Sequence, residues 1–118
     1  MCGINGVFAY ADKAPAVQPD EVLRTRDTMT ARGPDGAGLW MAKDGRLGLG
    51  HRRLAIIDLT EAGAQPMHSA DSRYTVTFNG EIYNYPQLRA EMEKDGTTFR
   101  SHSDTEVLLH LYRRDGMG

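Results

Sequence analysis

The stretch LWMAKDGRLGLGHRRLAIIDL, which spans residues 39–59, indicates the fold class. It contains three short apolar segments, with Asp44-Gly45 and Gly50 as the breaks between them: residues 39–42, 47–49 and 53–59. Short apolar segments separated by glycine-containing breaks are typical of strands that are joined by tight turns. We therefore expect an antiparallel sheet in this part of the chain.

Two more strands are predicted outside this stretch. Tyr74, Val76 and Phe78 alternate with threonines, which predicts a strand over 74–78 with one buried face. Residues 3–10 have the apolar and aromatic content of a strand, although early glycines suggest that other backbone lies close to it.

Three helices are predicted from their start signals and apolar spacing, over residues 19–31, 86–94 and 104–115. The third begins after Ser103, whose spacing to Glu106 fits a capping box. Strands and helices are thus mixed along one chain, and we expect an α+β domain over residues 1–118.

Composition excludes several classes of protein. The 118 residues hold 14 Lys and Arg against 16 Asp and Glu, so the net charge of -2 offers no general attraction to nucleic acid or to a membrane surface. The longest apolar run is residues 7–11, far short of the ~20 residues of a membrane helix. No basic, apolar leader precedes residue 2, so a cytoplasmic location is expected. The single cysteine and the four scattered histidines show no metal-ligand spacing, so no metal is expected.

Cys2 is a candidate nucleophile because of its position. If Met1 is removed, one residue carries both a thiol and a free α-amine, groups that ordinarily titrate at about pH 8. The amine can take the proton of the thiol and later give it to a leaving nitrogen, so that no histidine is required. The alternative interpretation is that Cys2 is a small apolar residue that opens a strand.

Asn79-Gly80 has two interpretations, of which the spacing alone favours the second. A side-chain amide and an unshielded backbone N–H at the end of a strand are suitable donors to a developing oxyanion. The same dipeptide between two apolar segments is also a strong signal for a hairpin turn.

Arg53 and Asp104 are candidates for binding the charged ends of an amino acid. An arginine can hold a carboxylate through two hydrogen bonds, and an aspartate can hold an ammonium group. Each residue also has an ordinary structural explanation, as a strand-edge cation and as a carboxylate at a helix N-terminus.

Six motifs occur in an order that is far more specific than any one of them: MCGI at 1–4, RGPDG at 32–36, GHRRLAIIDL at 50–59, QPM at 65–67, FNGEIYN at 78–84 and SDTEVLL at 103–109. Over essentially its whole length the chain resembles the N-terminal glutaminase domain of glutamine-hydrolysing asparagine synthetases, which are class II, N-terminal-nucleophile amidotransferases.

The resemblance implies a role for particular positions. Cys2 corresponds to the nucleophile that is exposed by removal of the initiator methionine, and Asn79 and Gly80 correspond to the oxyanion donors. Arg53 corresponds to the residue that binds the α-carboxylate of glutamine, and Asp104 to the residue that receives its α-ammonium group. The remaining wall of the glutamine pocket corresponds to Ile56, Ile57 and Glu81. No direct chemical role is assigned to RGPDG or to QPM.

The resemblance also implies a fold and an activity. The expected fold is a four-layer αββα sandwich of antiparallel sheets, and residues 1–118 are expected to be the N-terminal portion of the domain. The expected reaction hydrolyses glutamine to glutamate and ammonia, which a C-terminal synthetase domain uses to make asparagine from aspartate. No cofactor is expected in this chain, because ATP and Mg would bind the synthetase domain.

Two alternatives stay open at this point. The chain can be a non-catalytic piece, either a fragment that needs complementation or a domain that binds glutamine without hydrolysing it, or it can be an amidotransferase part that serves a different acceptor. Formation of a homo-oligomer is also left open by the sequence.

Overall fold

The computed structural model describes residues 2–116 and contains five strands and three α-helices. In chain order these elements are β1 Gly3–Phe8, α1 Pro19–Asp27, β2 Gly36–Met41, β3 Leu47–Arg53, β4 Met67–His68, β5 Thr75–Val76, α2 Tyr85–Lys94 and α3 Asp104–Asp115. A short 3₁₀ turn, Glu61–Gly63, precedes β4. None of the helices within these residues has the length and apolar character needed to cross a membrane.

The strands form two antiparallel sheets. In the larger sheet β3 lies between β1 and β2, and in the smaller sheet β4 pairs with β5. The α+β class and the antiparallel pairing predicted from the sequence are therefore confirmed. The arrangement of a complete domain in four layers stays a prediction.

Helix α1 packs closely on one face of the larger sheet because glycines leave room for it. A Cβ atom at Gly48 would lie 2.6 Å from the side chain of Val22, and one at Gly50 would lie 3.2 Å from it. Val22 is fully buried and forms the core of this layer with Ala9 and Val17. The sheet glycines therefore serve close helix packing.

The end of α1 differs from the prediction. The helix was expected to continue to residue 31, but it ends at Asp27. The hydroxyl groups of Thr28 and Thr30 donate 2.7 Å hydrogen bonds to the carbonyl oxygens of Thr25 and Asp27. Such short-range bonds between threonine and backbone compete with helical bonding, and the chain continues in turns instead.

Two predicted strands are largely irregular in the structure. Only Arg53 of residues 53–59 belongs to a strand, and only Thr75–Val76 of residues 74–78 are paired. The N–H groups of Ala55 and Phe78 donate to side chains, those of Asp35 and Gln65, rather than to a neighbouring strand. The threonine alternation also fails to give one buried face, because all of residues 74–78 are half-buried.

The predictions of the second and third helices are confirmed, with one correction at the start of α3. Ser103 caps α3 by accepting a 3.1 Å hydrogen bond from the N–H of Thr105. The other bond of a capping box, from the N–H of Ser103 to Glu106, is predicted wrongly. Glu106 accepts from the N–H groups of Arg100 and Ser101 instead. Glu106 therefore holds the loop before α3 rather than the N-cap residue itself.

Replacement of Gly38 by alanine tests the close approach between β2 and the loop before β4. A Cβ atom at Gly38 would overlap the carbonyl oxygen of Gln65, whereas one at Gly36 would meet its nearest atom at an ordinary 3.6 Å. We expect Gly38→Ala to lower the free energy of unfolding by about 1–3 kcal/mol, as overpacking does. Gly36→Ala is the matched control in the same strand, and urea denaturation measures both. Equal stability of the two variants would contradict the proposed contact.

Candidate active site

A cavity of about 310 Å³ lies where the end of β3, two irregular loops and the start of α3 meet. All eight residues that the sequence singled out line it: Cys2, Arg53, Ile56, Ile57, Asn79, Gly80, Glu81 and Asp104. Positions that are up to 102 residues apart in sequence thus share one cavity. Their chemical roles stay predictions.

Cys2 precedes β1 and is half-buried at the cavity. The N–H of Leu54 donates to Sγ at 3.3 Å, and the thiol in turn lies 3.6 Å from the carbonyl oxygen of Leu54. Leu54 directly follows β3, the strand that pairs with β1. The register of this strand pair therefore determines where the thiol lies.

The Asn79-Gly80 segment is not a hairpin turn. The two-residue turn that this dipeptide favours requires positive φ at both central positions, and neither residue has it. The next regular element is α2 rather than a strand. A Cβ atom at Gly80 would lie 2.7 Å from the ring of Phe78, so a larger residue here would displace that ring. Both residues of the segment line the cavity.

Arg53 is fixed by the loop that follows β3. Its Nη1 donates a 2.6 Å hydrogen bond to the carbonyl oxygen of Thr60, and Nη2 donates to that of Asp58. Gly63 packs against the same group, since a Cβ atom there would lie 2.6 Å from Nη2. Among residues 2–116 Arg53 forms no salt bridge within 4.0 Å, although its positive charge lies near enough to the Asp58 carboxylate to lower the pKa of that group.

Asp104 is the first residue of α3 and is 5% exposed. Its Oδ2 accepts a 2.9 Å hydrogen bond from the N–H of Ile82, which follows the Asn79-Gly80 segment. A carboxylate is stabilised at a helix N-terminus by the unpaired N–H groups there. The cavity therefore has a held cation and a held anion in its wall.

The rest of the wall is more open. Ile56 and Ile57 are 61% and 37% exposed, and Glu81 is exposed as well. Their place at the cavity agrees with a wall that contacts the body of a small ligand. Within residues 2–116 there is no group of three or more His, Cys, Asp or Glu side chains that could hold a metal ion.

Asp58 also lines the cavity, although the sequence indicates no role for it beyond its place in the motif at residues 50–59. Burial raises the pKa of Asp58, but hydrogen bonds from the hydroxyl and N–H of Thr60 and the N–H of His102, with Arg53 nearby, lower it overall from 3.8 to about 2. Asp58 therefore stays charged and joins the loop after β3 to the loop before α3.

The sequence likewise indicates no role for three other residues of the motifs, His51, Asp35 and Gln65. His51 is 1% exposed, its Nε2 lies 3.4 Å from the carbonyl oxygen of Phe78, and burial lowers its pKa. Asp35 accepts a 2.9 Å bond from the N–H of Ala55, in the cavity wall. Their place in the motifs is the only feature of the sequence that singles out these residues. No local pattern indicates that their side chains support distant loops.

Comparison with known protein families adds a second line of evidence. Residues 1–118 match the family described as the glutamine amidotransferase domain. The chain belongs to this family, and the resemblance inferred from the six motifs is confirmed.

The chain is also similar to individual proteins. Asparagine synthetase (glutamine-hydrolyzing) 1 of Bacillus subtilis (strain 168) is 46% identical over 96% of this chain, and asparagine synthetase (glutamine-hydrolyzing) 3 of the same strain is 42% identical over 95%. Amidase chry2 of Gibberella zeae is 34% identical over 99%. The chain spans only 18% of the length of each of these relatives.

The charge on Asp58 predicts a pH-dependent contribution to stability. Its pKa is lower in the folded chain than in the unfolded one, so its contribution is present above about pH 4 and is lost as the pH falls toward 2. Asp58→Asn should therefore lower the free energy of unfolding by about 2 kcal/mol at neutral pH and by much less at pH 2. Urea denaturation at several pH values measures this difference. Asp12→Asn, at an exposed position, is the control, and a pH-independent effect of Asp58→Asn would contradict the assignment.

Proposed function

We propose that this chain hydrolyses the side-chain amide of glutamine with Cys2 as the nucleophile. The observation that carries the proposal is that a thiol, an amide with a glycine N–H, a guanidinium and a carboxylate line one cavity of about 310 Å³. A cavity of this size accommodates a free amino acid. Membership of the glutamine amidotransferase family supports the same substrate.

The reaction begins once Met1, which lies outside the described residues, has been removed. The α-amine of Cys2 takes the proton of the thiol, and the thiolate sulfur attacks the amide carbon of glutamine. The C=O electrons move to the oxygen, giving a tetrahedral oxyanion. When the C–N bond breaks, the ammonium of Cys2 returns its proton to the leaving nitrogen, and ammonia and a γ-glutamyl thioester are formed.

Asn79 and Gly80 stabilise the oxyanion. The side-chain amide of Asn79 and the N–H of Gly80 donate to the oxygen where the negative charge develops, and one such donor lowers the activation barrier by about 2.7–4 kcal/mol. Water then attacks the thioester, with the amine of Cys2 as the base. Glutamate leaves with the new oxygen, and the thiol is restored.

The two fixed charges orient the substrate. Arg53 holds the α-carboxylate and Asp104 the α-ammonium group, so the side chain of glutamine extends toward Cys2. Ile56, Ile57 and Glu81 form the remaining wall.

The complete protein would use the ammonia for ATP-dependent synthesis of asparagine from aspartate. The names of the Bacillus subtilis relatives support this acceptor, and ATP and Mg would bind a synthetase domain outside residues 1–118. We place the complete glutaminase domain in the four-layer αββα class and the protein in the cytoplasm. Amidase chry2 is a relative whose name does not mention asparagine.

Replacement of Cys2 tests the nucleophile. In the complete protein, Cys2→Ala should reduce glutamine hydrolysis by more than about 10³-fold, since the covalent step is lost, while ammonia-dependent synthesis continues. Glutamate release and asparagine formation are the two measurements. Undiminished hydrolysis in this variant would refute the proposal.

Intact mass supplies the control for this experiment. A preparation that retains Met1 has no free amine at Cys2 and should be inactive with glutamine, whereas the processed fraction of the same preparation should be active. A retained Met1 in a fully active sample would exclude the amine as the base.

Replacement of Asp104 tests substrate binding. Asp104→Asn keeps an oxygen for the N–H of Ile82 but removes the charge that faces the ammonium group, so KM for glutamine should rise about 10- to 100-fold with a smaller change in kcat. Asp44→Asn, at an exposed position in the turn between β2 and β3, is the matched control. Steady-state kinetics measure both, and an unchanged KM in Asp104→Asn would remove Asp104 from the binding site.

A further inference from the structure

The motif at residues 65–67 has no assigned role, yet the side chain of Gln65 lies in the cavity wall between two parts of the proposed site. Its Oε1 accepts a 2.6 Å hydrogen bond from the N–H of Phe78, the residue just before Asn79. Its Nε2 donates a 3.1 Å hydrogen bond to the hydroxyl of Thr105, the residue just after Asp104. One side chain thus bridges the loop that carries the proposed donors and the first turn of α3, which carries the proposed anion.

The Asn79-Gly80 segment needs such a support. Strand β5 ends at Val76, and residues 77–82 belong to no helix or strand. The backbone of Phe78 is held from both sides by side chains, with Gln65 at its N–H and His51 at its carbonyl oxygen. The His51 contact is the weaker one, because its heavy atoms are 3.4 Å apart.

We infer that Gln65 is a positioning residue that holds the proposed oxyanion donors Asn79 and Gly80 in place, an inference that rests on the proposed function. Oxyanion donors contribute only when they point at the position that the charged oxygen will occupy. A displacement of about 1 Å can therefore cost as much rate as the loss of a donor. Gln65 prevents that displacement by fixing the residue next to the first donor.

The second bond of Gln65 links the donors to the substrate anchor. Thr105 is 2% exposed and lies in the first turn of α3, beside Asp104. Asp104 in turn accepts from Ile82, on the other side of the Asn79-Gly80 segment. The segment is therefore held at both ends from the start of α3, once directly and once through Gln65.

The experiment uses Gln65→Met in the complete, processed protein. Methionine keeps the length and flexibility of the side chain but offers no comparable hydrogen bond to Phe78 or Thr105. We expect kcat for glutamine hydrolysis to fall about 10- to 100-fold while KM changes less than about threefold, because the lost interaction acts in the transition state. Alkylation of Cys2 by iodoacetamide needs no oxyanion donor, so its rate should stay within about threefold of the wild-type rate.

Gln65→Glu is the matched conservative variant. Its carboxylate still accepts from the N–H of Phe78, and the hydroxyl of Thr105 can turn to donate to the other oxygen. We expect this variant to keep kcat within about fivefold of the wild-type value. If Gln65→Met does not fold, Thr105→Val removes one bond of the bridge and should lower kcat about 3- to 10-fold at unchanged KM.

The outcomes separate the two levels of the proposal. No glutamine hydrolysis by the wild-type protein would refute the proposed function itself. Wild-type kcat in Gln65→Met, or in Thr105→Val where that variant carries the test, would overturn the positioning role alone. Equal losses in kcat, substrate affinity and Cys2 alkylation would also overturn it, because they would show a general structural role.

Discussion

The cavity depends on one constraint, which is that the backbone N–H groups of its loops have no strand to pair with. An unpaired buried N–H group costs about 1–3 kcal/mol, so a loop is stabilised when side chains from elsewhere in the chain accept from such groups. The structure supplies side chains for this purpose: Leu54, Ala55, Phe78 and Ile82 donate to Cys2, Asp35, Gln65 and Asp104 respectively. The same bonds that satisfy the loops also give the cavity its shape.

Carboxylates are well suited to this task because one group accepts several N–H donors and the bonds stabilise its charge. Asp58 accepts from Thr60 and His102 and has a pKa of about 2. Burial raises the pKa of Glu106, but hydrogen bonds from Arg100 and Ser101 lower it overall. Both groups remain charged at neutral pH, so the loops keep their shape over the pH range in which the proposed chemistry operates.

Local patterns predicted the fold where local bonding decides it. The helices and strands β1 and β2 follow from apolar spacing, caps and the break at Asp44-Gly45. The break predicted at Gly50 is wrong, because β3 continues through this glycine to Arg53. The failures at residues 53–59 and 74–78 have a shared cause, since their N–H groups bond to side chains far away in sequence. The partner of Leu54 is 52 residues distant, that of Ala55 is 20 and that of Phe78 is 13. No pattern within a short window contains this information.

The candidate site was predicted by a different route. Taken singly, Cys2, Arg53 and Asp104 each had an ordinary structural explanation, and only the order of six motifs singled them out. The motifs could not show how the members support one another, because hydrogen bonds between motifs depend on the folded geometry. Asp35, Asp58 and Gln65 lay within quoted motifs, yet their partners identify them as supports only in the structure.

The loop over residues 58–63 shows how such supports can fix the spacing of two opposite charges. Its carbonyl oxygens hold the guanidinium of Arg53, and its Asp58 carboxylate holds the N–H of His102, just before α3 and Asp104. Cation and anion are thus tied to the same short loop although they lie on different elements. Because the groups are held before any ligand arrives, less conformational entropy is lost on binding an amino acid whose own charges have a fixed separation. In the proposed function, the loop that pairs these backbone groups would therefore also fix the spacing of the two charges that bind the substrate.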